Sequence, residues 1–135
     1  MKFKYTRIED DSIPGGFAYL PLIDINLGPN KLPVKCLIDS GSSITVIHSP
    51  LAVAAGIIPA TGEPSSIFGI SGGAISGYYQ IATADIYGNE WELPIFFTTE
   101  LKIPYALLGQ INFFQKFKLI FDLAQREFEI KPNHP

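Results

Sequence analysis

The chain has 135 residues, of which 47% are hydrophobic and 17% are charged. A disordered chain is excluded, because disordered segments are poor in apolar residues, and this length suits one hydrophobic core. The net charge of -3, without a cluster of basic residues, argues against nucleic acid as the main partner. We predict one domain over residues 1–135, with a polar N-terminal segment at 1–14 and a tail at 132–135.

The N-terminal sequence and the rare residue types set further expectations. Residues 1–7 are charged and lack the apolar core of a secretory signal, and no run approaches the roughly 18 apolar residues of a membrane span. We therefore expect a cytoplasmic protein without a membrane partner. Cys36 is the single cysteine, so it cannot form an intrachain disulfide, and its apolar neighbours predict a small buried side chain. Two histidines and one cysteine are poor metal ligands, and we expect no metal or other cofactor.

Strands dominate the elements that the sequence predicts in chain order. Runs of apolar residues are separated by glycine, proline and asparagine, which favour turns. We predict strands at 17–27, 32–38, 44–47, 76–87, 91–98, 104–108, 117–122 and 128–131. A turn at Gly88-Asn89 joins the two central strands, and residues 123–126 connect the last two. Because closure removes exposed strand edges, the predicted class is all-β, a closed and barrel-like sheet.

Two short helices are predicted among these strands. The first covers residues 49–56, with Ser49 as N-cap, Pro50 at the first helical position and Gly56 just past the end. The second is amphipathic and covers residues 110–117.

One carboxylate stands between two strongly apolar stretches. Asp39 follows Leu37 and Ile38, and Ser40 and Gly41 come directly after it. An ionised carboxylate in such surroundings is costly unless it is paired, hydrogen-bonded or neutralised by a raised pKa, which suggests a function for it. Asp-Ser-Gly is also a common turn tripeptide, so a purely structural turn is the alternative.

Two further segments favour the functional interpretation. Residues 67–75 contain two apolar arms that meet at a glycine-rich tip, 69–73, as expected of a hairpin. Leu107-Leu108-Gly109 then ends the apolar strand 104–108. With Asp-Ser-Gly first, these segments together resemble the retropepsin-like aspartic proteases, single-domain relatives of pepsin. They are similar, in chain order, to the catalytic loop, the flap, and the aliphatic element beneath that loop, and the resemblance covers roughly residues 15–131.

The resemblance implies an aspartic endopeptidase with a closed, barrel-like retropepsin fold and a flap hairpin. In this family a water molecule is activated between two carboxylates that share one proton, because two like charges so close together cannot both ionise. This chain carries a single Asp-Ser-Gly. A two-fold homodimer would supply the second carboxylate, since each subunit brings Asp39 to the axis.

The resemblance also implies roles for individual residues. Asp39 would be the catalytic carboxylate, Ser40 would hydrogen-bond across the dimer beneath the two aspartates, and Gly41 would let the substrate backbone approach. Residues expected to contact a peptide or protein substrate with hydrophobic side chains are Leu37, Ser42, Val46, Ile70, Gly72, Gly73, Pro104, Tyr105 and Leu107. Plain core packing is the alternative for the apolar ones.

The sequence departs from the retroviral pattern at two positions. Gln110 stands where the pattern has Arg, and Ser43 stands where it has an acidic residue that pairs with this Arg. Both members of the ion pair are therefore absent, which puts a retroviral dimer geometry in doubt. Residues 119–130 are more similar to the closing hairpin of pepsin-type and cellular retropepsin-like domains, which favours a cellular protease.

Two other kinds of protein stay open as alternatives. The first is a dimerisation or peptide-binding module that keeps the fold without turnover, since fold does not imply function. The second is a ligand-binding β-barrel unrelated to proteases, for which the glycine-rich hairpin would be coincidental.

Overall fold

The computed structural model describes residues 1–68 and 73–133. Short strands connected by turns account for most of the described chain. The strands are β1 (Lys2–Lys4), β2 (Thr6–Glu9), β3 (Phe17–Leu20), β4 (Leu22–Leu27), β5 (Leu32–Ile38), β6 (Thr45–His48), β7 (Glu63–Phe68), β8 (Ala74–Ile86), β9 (Asn89–Thr98), β10 (Ala106–Leu108), β11 (Phe117–Asp122) and β12 (Glu127–Pro132). One α-helix, α1, covers Ser49–Ala54. No helix in the described ranges is long and apolar enough to cross a membrane.

Seven strands form one mixed sheet in the order β4-β5-β10-β6-β9-β8-β7, and β4 also pairs with β8. This additional pairing closes six of the strands into a barrel, with β7 attached outside it to β8. Strand β10 lies between β5, to which it is parallel, and β6, to which it is antiparallel. The predicted closed, all-β, retropepsin-like fold is confirmed.

The barrel interior is filled by every second residue of its strands. In β4, Ile23, Ile25 and Leu27 are buried while Asp24 and Asn26 between them are exposed. The same alternation continues on β5, where Val34, Cys36 and Ile38 are buried. On β9, Leu93, Ile95 and Phe97 follow it, while Phe96 and Thr98 are buried as well. Side chains in a strand point alternately to its two faces, so this period of two directs one face of each strand into the core.

A separate three-stranded sheet, β1-β12-β11, brings the two ends of the chain together. Lys2 pairs with Glu129 and Lys4 with Glu127, and the Phe3 ring stacks on Phe128 at 5.3 Å. The polar N-terminal segment predicted at 1–14 thus contains the strands β1 and β2. Alternating charged and aromatic residues in β1 suit an edge strand with one packed face, and their partner lies more than a hundred residues away along the chain.

Several predicted strand boundaries are shifted by one or two residues, and three further differences concern a division, a turn and a helix cap. The strand predicted at 17–27 is divided at Pro21 into β3 and β4. The β8–β9 turn is centred on Tyr87 and Gly88, both with positive φ, one residue before the predicted position. Helix α1 begins at Ser49 with His48 as its N-cap, so Ser49 is not the cap, although Gly56 follows its end with φ of 88° as expected.

The second helix is present only as a short, broken segment. A helical turn covers Gln110–Phe114, but Ile111 is extended and Asn112 has φ of 66°. Phe113 from this segment is fully buried and packs against Phe117, with ring centroids 5.2 Å apart. A regular helix does not form here because Phe113 and Phe117 are anchored in the core. The backbone contacts of Gln110 and Ile111, described below, also hold this segment out of a helical path.

Candidate active site

Asp39 lies directly after the end of β5, in a loop held by its own backbone. The Asp39 N–H donates to the Leu108 carbonyl oxygen at 3.0 Å, and the Ser42 N–H donates to the Asp39 carbonyl oxygen at 3.2 Å. The Gly41 N–H donates to Asp39 Oδ1 at 2.9 Å. These contacts fix the direction of a half-buried carboxylate while leaving it in reach of the cavity beside it.

The aliphatic element at the end of β10 packs against this loop from one side. Leu107 lies in register between Leu37 of β5 and Val46 of β6. Gly109 follows, and a Cβ atom at this position would overlap the Ile44 carbonyl oxygen. The Gly109 N–H donates to the hydroxyl of the fully buried Thr45 at 3.2 Å. Glycine is thus required here for close approach of two backbones.

Gln110 provides neutral contacts at the position where the family pattern has Arg. Its side-chain amide donates to the Ser40 carbonyl oxygen, and its backbone N–H donates to the Ser42 carbonyl oxygen at 2.9 Å. The Ile111 N–H donates to the Ser43 carbonyl oxygen at 2.9 Å. The loop is therefore tied to the segment after β10 by hydrogen bonds to its carbonyl groups, without an ion pair at Ser43.

A cavity of about 680 Å³ opens above Asp39, between its loop and the β7–β8 hairpin. Most of its walls are apolar, and Asp39 is the one titratable residue among the described residues that line it. The lining residues are Asp39, Gly41, Ser42, Ser43, Ile44, Val46, Ile67, Phe68, Gly73, Ile75, Leu101 and Leu107. An apolar cleft with a carboxylate at its floor suits an extended chain with hydrophobic side chains.

Most of the predicted site residues that the structure describes come together in this cavity. Six of them line it: Asp39, Gly41, Ser42, Val46, Gly73 and Leu107. The predicted flap-tip residues Ile70 and Gly72 lie outside the described residues.

Four predicted residues lie elsewhere. Ser40 is exposed and borders a smaller hollow with Gln110 and Gln115, on the other side of the loop. Leu37, half-buried on β5 in register with Leu107, is not among the residues that line the cavity. Pro104 is exposed and Tyr105 half-buried in the segment before β10, also away from the cavity lining. Contact of these side chains with a substrate stays a prediction.

Several lining residues were not predicted. Ile67 and Ile75 are paired across the hairpin, and an alternating pattern in its two arms could have identified them. Phe68 lines the cavity although 78% of its surface is exposed. Leu101 comes from the loop after β9, and its isolated apolar side chain gives no signal in the sequence.

The thiol of Cys36 is unreactive, and the possible metal ligands among the described residues are dispersed. Burial, followed by the nearby Asp24 charge, raises the pKa of the Cys36 thiol far above its usual value, so a thiolate nucleophile is disfavoured. Within residues 1–68 and 73–133, no three His, Cys, Asp or Glu side chains come close enough together to hold a metal ion.

The closed mixed barrel, the short strand β10 followed by Gly109, and the β7–β8 hairpin beside the Asp-Ser-Gly loop together define the retropepsin-like fold. Among solved structures, EIAV protease complexed with the inhibitor HBY-793 matches with a TM-score of 0.53 and 19% sequence identity. The match covers 67% of this chain and 82% of that chain. At this level of identity it shows the shared fold alone. No family model matches the sequence, and no curated protein matches it significantly.

Proposed function

We propose that the protein is an aspartic endopeptidase whose active form is a homodimer. The single observation that carries this proposal is Asp39 itself, held by the Gly41 N–H at the floor of an apolar cavity that the β7–β8 hairpin covers. This arrangement supports hydrolysis of a peptide that lies between the hairpin and the loop. The cytoplasmic location expected from the sequence stays a prediction.

The chemistry requires two carboxylates. One Asp39 would accept a proton from a water molecule as that water attacks the scissile carbonyl carbon, and the other Asp39 would donate a proton to the carbonyl oxygen. The proton lost from water and the proton gained by the substrate balance within the pair. Hydrolysis should therefore follow a bell-shaped pH profile whose two limbs belong to the pair and not to either residue.

The second Asp39 would come from a second copy of the chain, because retropepsins act as homodimers. Both edges of β12 are already occupied in the single chain, by β1 and β11. A partner strand therefore has no free position beside β12, and we propose that the dimer forms through the surface next to the Asp39 loop. The exposed Ser40 and Ile111 belong to this surface.

Replacement of Asp39 by Asn tests the proposal. Asp39→Asn should lower kcat/KM for an apolar peptide by about a thousandfold or more, because an amide cannot accept the proton from water. The urea unfolding midpoint should not fall, since the substitution removes a charge without changing the size of the side chain. Cleavage of a mixed peptide library, read by mass spectrometry, provides the measurement.

Asp24→Asn is the matched control, because Asp24 lies on the exposed face of β4 and pairs with Lys35 at 3.5 Å. It should retain the parental rate. Equal cleavage by the Asp39→Asn variant would exclude the aspartic mechanism. Binding of peptides without cleavage by the parent would favour the peptide-binding module instead.

A further inference from the structure

The β7–β8 hairpin has two chemically different faces near the Phe68–Ala74 end of its ladder. Ile67 and Ile75 are paired across the two strands and line the Asp39 cavity. The next pair, Ser66 and Ser76, belongs to the opposite face, because successive residues of a strand alternate between faces. On this outer face, the two serines border a groove of about 530 Å³.

The ladder between β8 and β9 does not extend as far as Ser76, which lies near the start of β8. The pair Tyr78–Phe97 is the last of the β8–β9 ladder at this end, so Ser76 lies two residues beyond the paired region. A Cβ atom at Gly77 would overlap the Phe97 carbonyl oxygen, which shows how closely the two strands approach at their point of separation.

Side chains from the end of β9 take the place of the missing strand. Thr98 Oγ1 donates to the Ser76 carbonyl oxygen at 2.8 Å, and the Ser76 N–H donates to Glu100 Oε2 at 2.5 Å. The Glu100 N–H in turn donates to Thr98 Oγ1 at 3.0 Å. Both backbone groups of Ser76 are thus bound by residues that immediately follow the β9 ladder.

The same segment contributes to the cavity. Leu101, next to Glu100, lines the cavity above Asp39. Further along, the Ile103 carbonyl oxygen lies 2.7 Å from His48 Nε2 at the end of β6. This loop is therefore bound to the barrel at Ile103 and to the hairpin at Glu100, with a cavity wall between the two contacts.

We propose that Glu100 is a positioning residue for the candidate active site. Its carboxylate accepts a hydrogen bond from the Ser76 N–H and thereby fixes the part of β8 that carries Ile75. The hairpin and the loop that carries Leu101 are then held at a defined distance from Asp39. A charged acceptor binds an N–H more strongly than a neutral one, which explains a carboxylate at this position. The predicted effect on turnover rests on the proposed function, whereas the contact with Ser76 does not.

Hydrogen exchange at the Ser76 amide, followed by NMR in an Asp39→Asn background, tests the contact directly. Glu100→Ala should exchange this amide about tenfold faster, the size expected from the loss of one charge-assisted hydrogen bond. Glu100→Gln keeps the reach of the side chain with a weaker acceptor, and should give a smaller increase. Glu92→Gln, an exposed glutamate on β9, is the matched control and should leave the rate unchanged.

Peptide cleavage by variants that retain Asp39 tests whether Glu100 positions the cavity walls. Glu100→Ala should raise KM about tenfold with kcat nearly unchanged, because the cavity walls that bind peptide lose their fixed separation. Glu100→Gln should restore part of the loss. The urea unfolding midpoint should stay close to the parental value, since Glu100 is exposed.

Unchanged exchange at Ser76 in Glu100→Ala would overturn the proposal. Faster exchange with an unchanged KM, or a loss of activity that only follows a loss of stability, would overturn it as well. If the parent itself cleaves no peptide, the proposed function fails, and the exchange rates at Ser76 still decide whether Glu100 holds the hairpin.

Discussion

At the scale of single residues, the Asp39 loop is held by small and neutral groups. The Gly41 N–H binds the carboxylate, the Thr45 hydroxyl binds Gly109, and the Gln110 amide binds the Ser40 carbonyl oxygen. Each contact fixes backbone geometry without placing a formal charge beside Asp39. The position of the carboxylate is therefore determined by close packing of backbones, for which glycine is decisive.

Gly109 allows a prediction at this scale. Gly109→Ala should destabilise the protein by about 3 kcal/mol, because the added methyl group overlaps the Ile44 backbone, which cannot move without disturbing the Asp39 loop. Urea unfolding measures the change. Gly88→Ala is the control, since that position has open space but φ of 83°, and should cost only about 1 kcal/mol. Equal costs at both positions would show that close packing at Gly109 has no special weight.

At the scale of elements, β1 packs against the β8–β9 turn. The Phe3 ring lies 4.7 Å from the Tyr87 ring, and Phe3 also stacks on Phe128 of β12. Partial burial, followed by the negative charge of Asp24, raises the pKa of Tyr87 to about 12. The N-terminal strand, the central hairpin and the C-terminal strand are thus joined by one aromatic cluster.

The raised pKa predicts a loss of stability at alkaline pH. Between pH 10 and 12 an unfolded tyrosine has lost its proton while native Tyr87 keeps it, so the unfolded state binds fewer protons and stability falls as pH rises. Tyr87→Phe should reduce this fall, measured as urea midpoints at pH 9 and 11. Part should remain, because burial also raises the pKa of the Cys36 thiol and of Tyr5. A variant that loses as much stability as the parent over this range would contradict the prediction.

At the scale of the whole molecule, one chain supplies a complete barrel and half of the proposed catalytic pair. The three-stranded sheet β1-β12-β11 is closed within the chain, with the Ile130 N–H donating to the Met1 carbonyl oxygen at 2.9 Å. The fold of one subunit therefore does not depend on strands from a partner. Assembly and folding should be separable, with activity depending on assembly.

Dilution should therefore reduce activity without unfolding the protein. Specific activity should rise with protein concentration until the dimer saturates, while circular dichroism stays constant. Mixing with a ninefold excess of Asp39→Asn chains should leave about a tenth of the parental activity, because most parental chains are then in mixed dimers. Asp24→Asn chains, which keep Asp39, should not suppress it. A monomer that is fully active in sedimentation experiments would exclude the shared site.

Sequence patterns of short range determined much of this protein. Alternating apolar residues predicted most strands, since the period of a strand is local and visible in a few residues. The resemblance of Asp39-Ser40-Gly41 and Leu107-Leu108-Gly109 to the retropepsin pattern implied that these two segments meet, and Gly109 permits the close approach. The fold could therefore be predicted from the sequence, and the role of Asp39 stays a prediction.

Contacts between distant segments were decided only by the tertiary structure. Pairing of β1 with β12 and of Glu100 with Ser76 depends on strand register and on where a strand leaves the sheet, which no local pattern contains. Leu101 reaches the cavity for the same reason. Gln110 binds the Ser40 carbonyl oxygen, although its sequence position suggested only a missing ion pair. The sequence determined which residues are small, apolar or charged, and the closed barrel determined which of them meet, because closure brings together residues that are far apart along the chain.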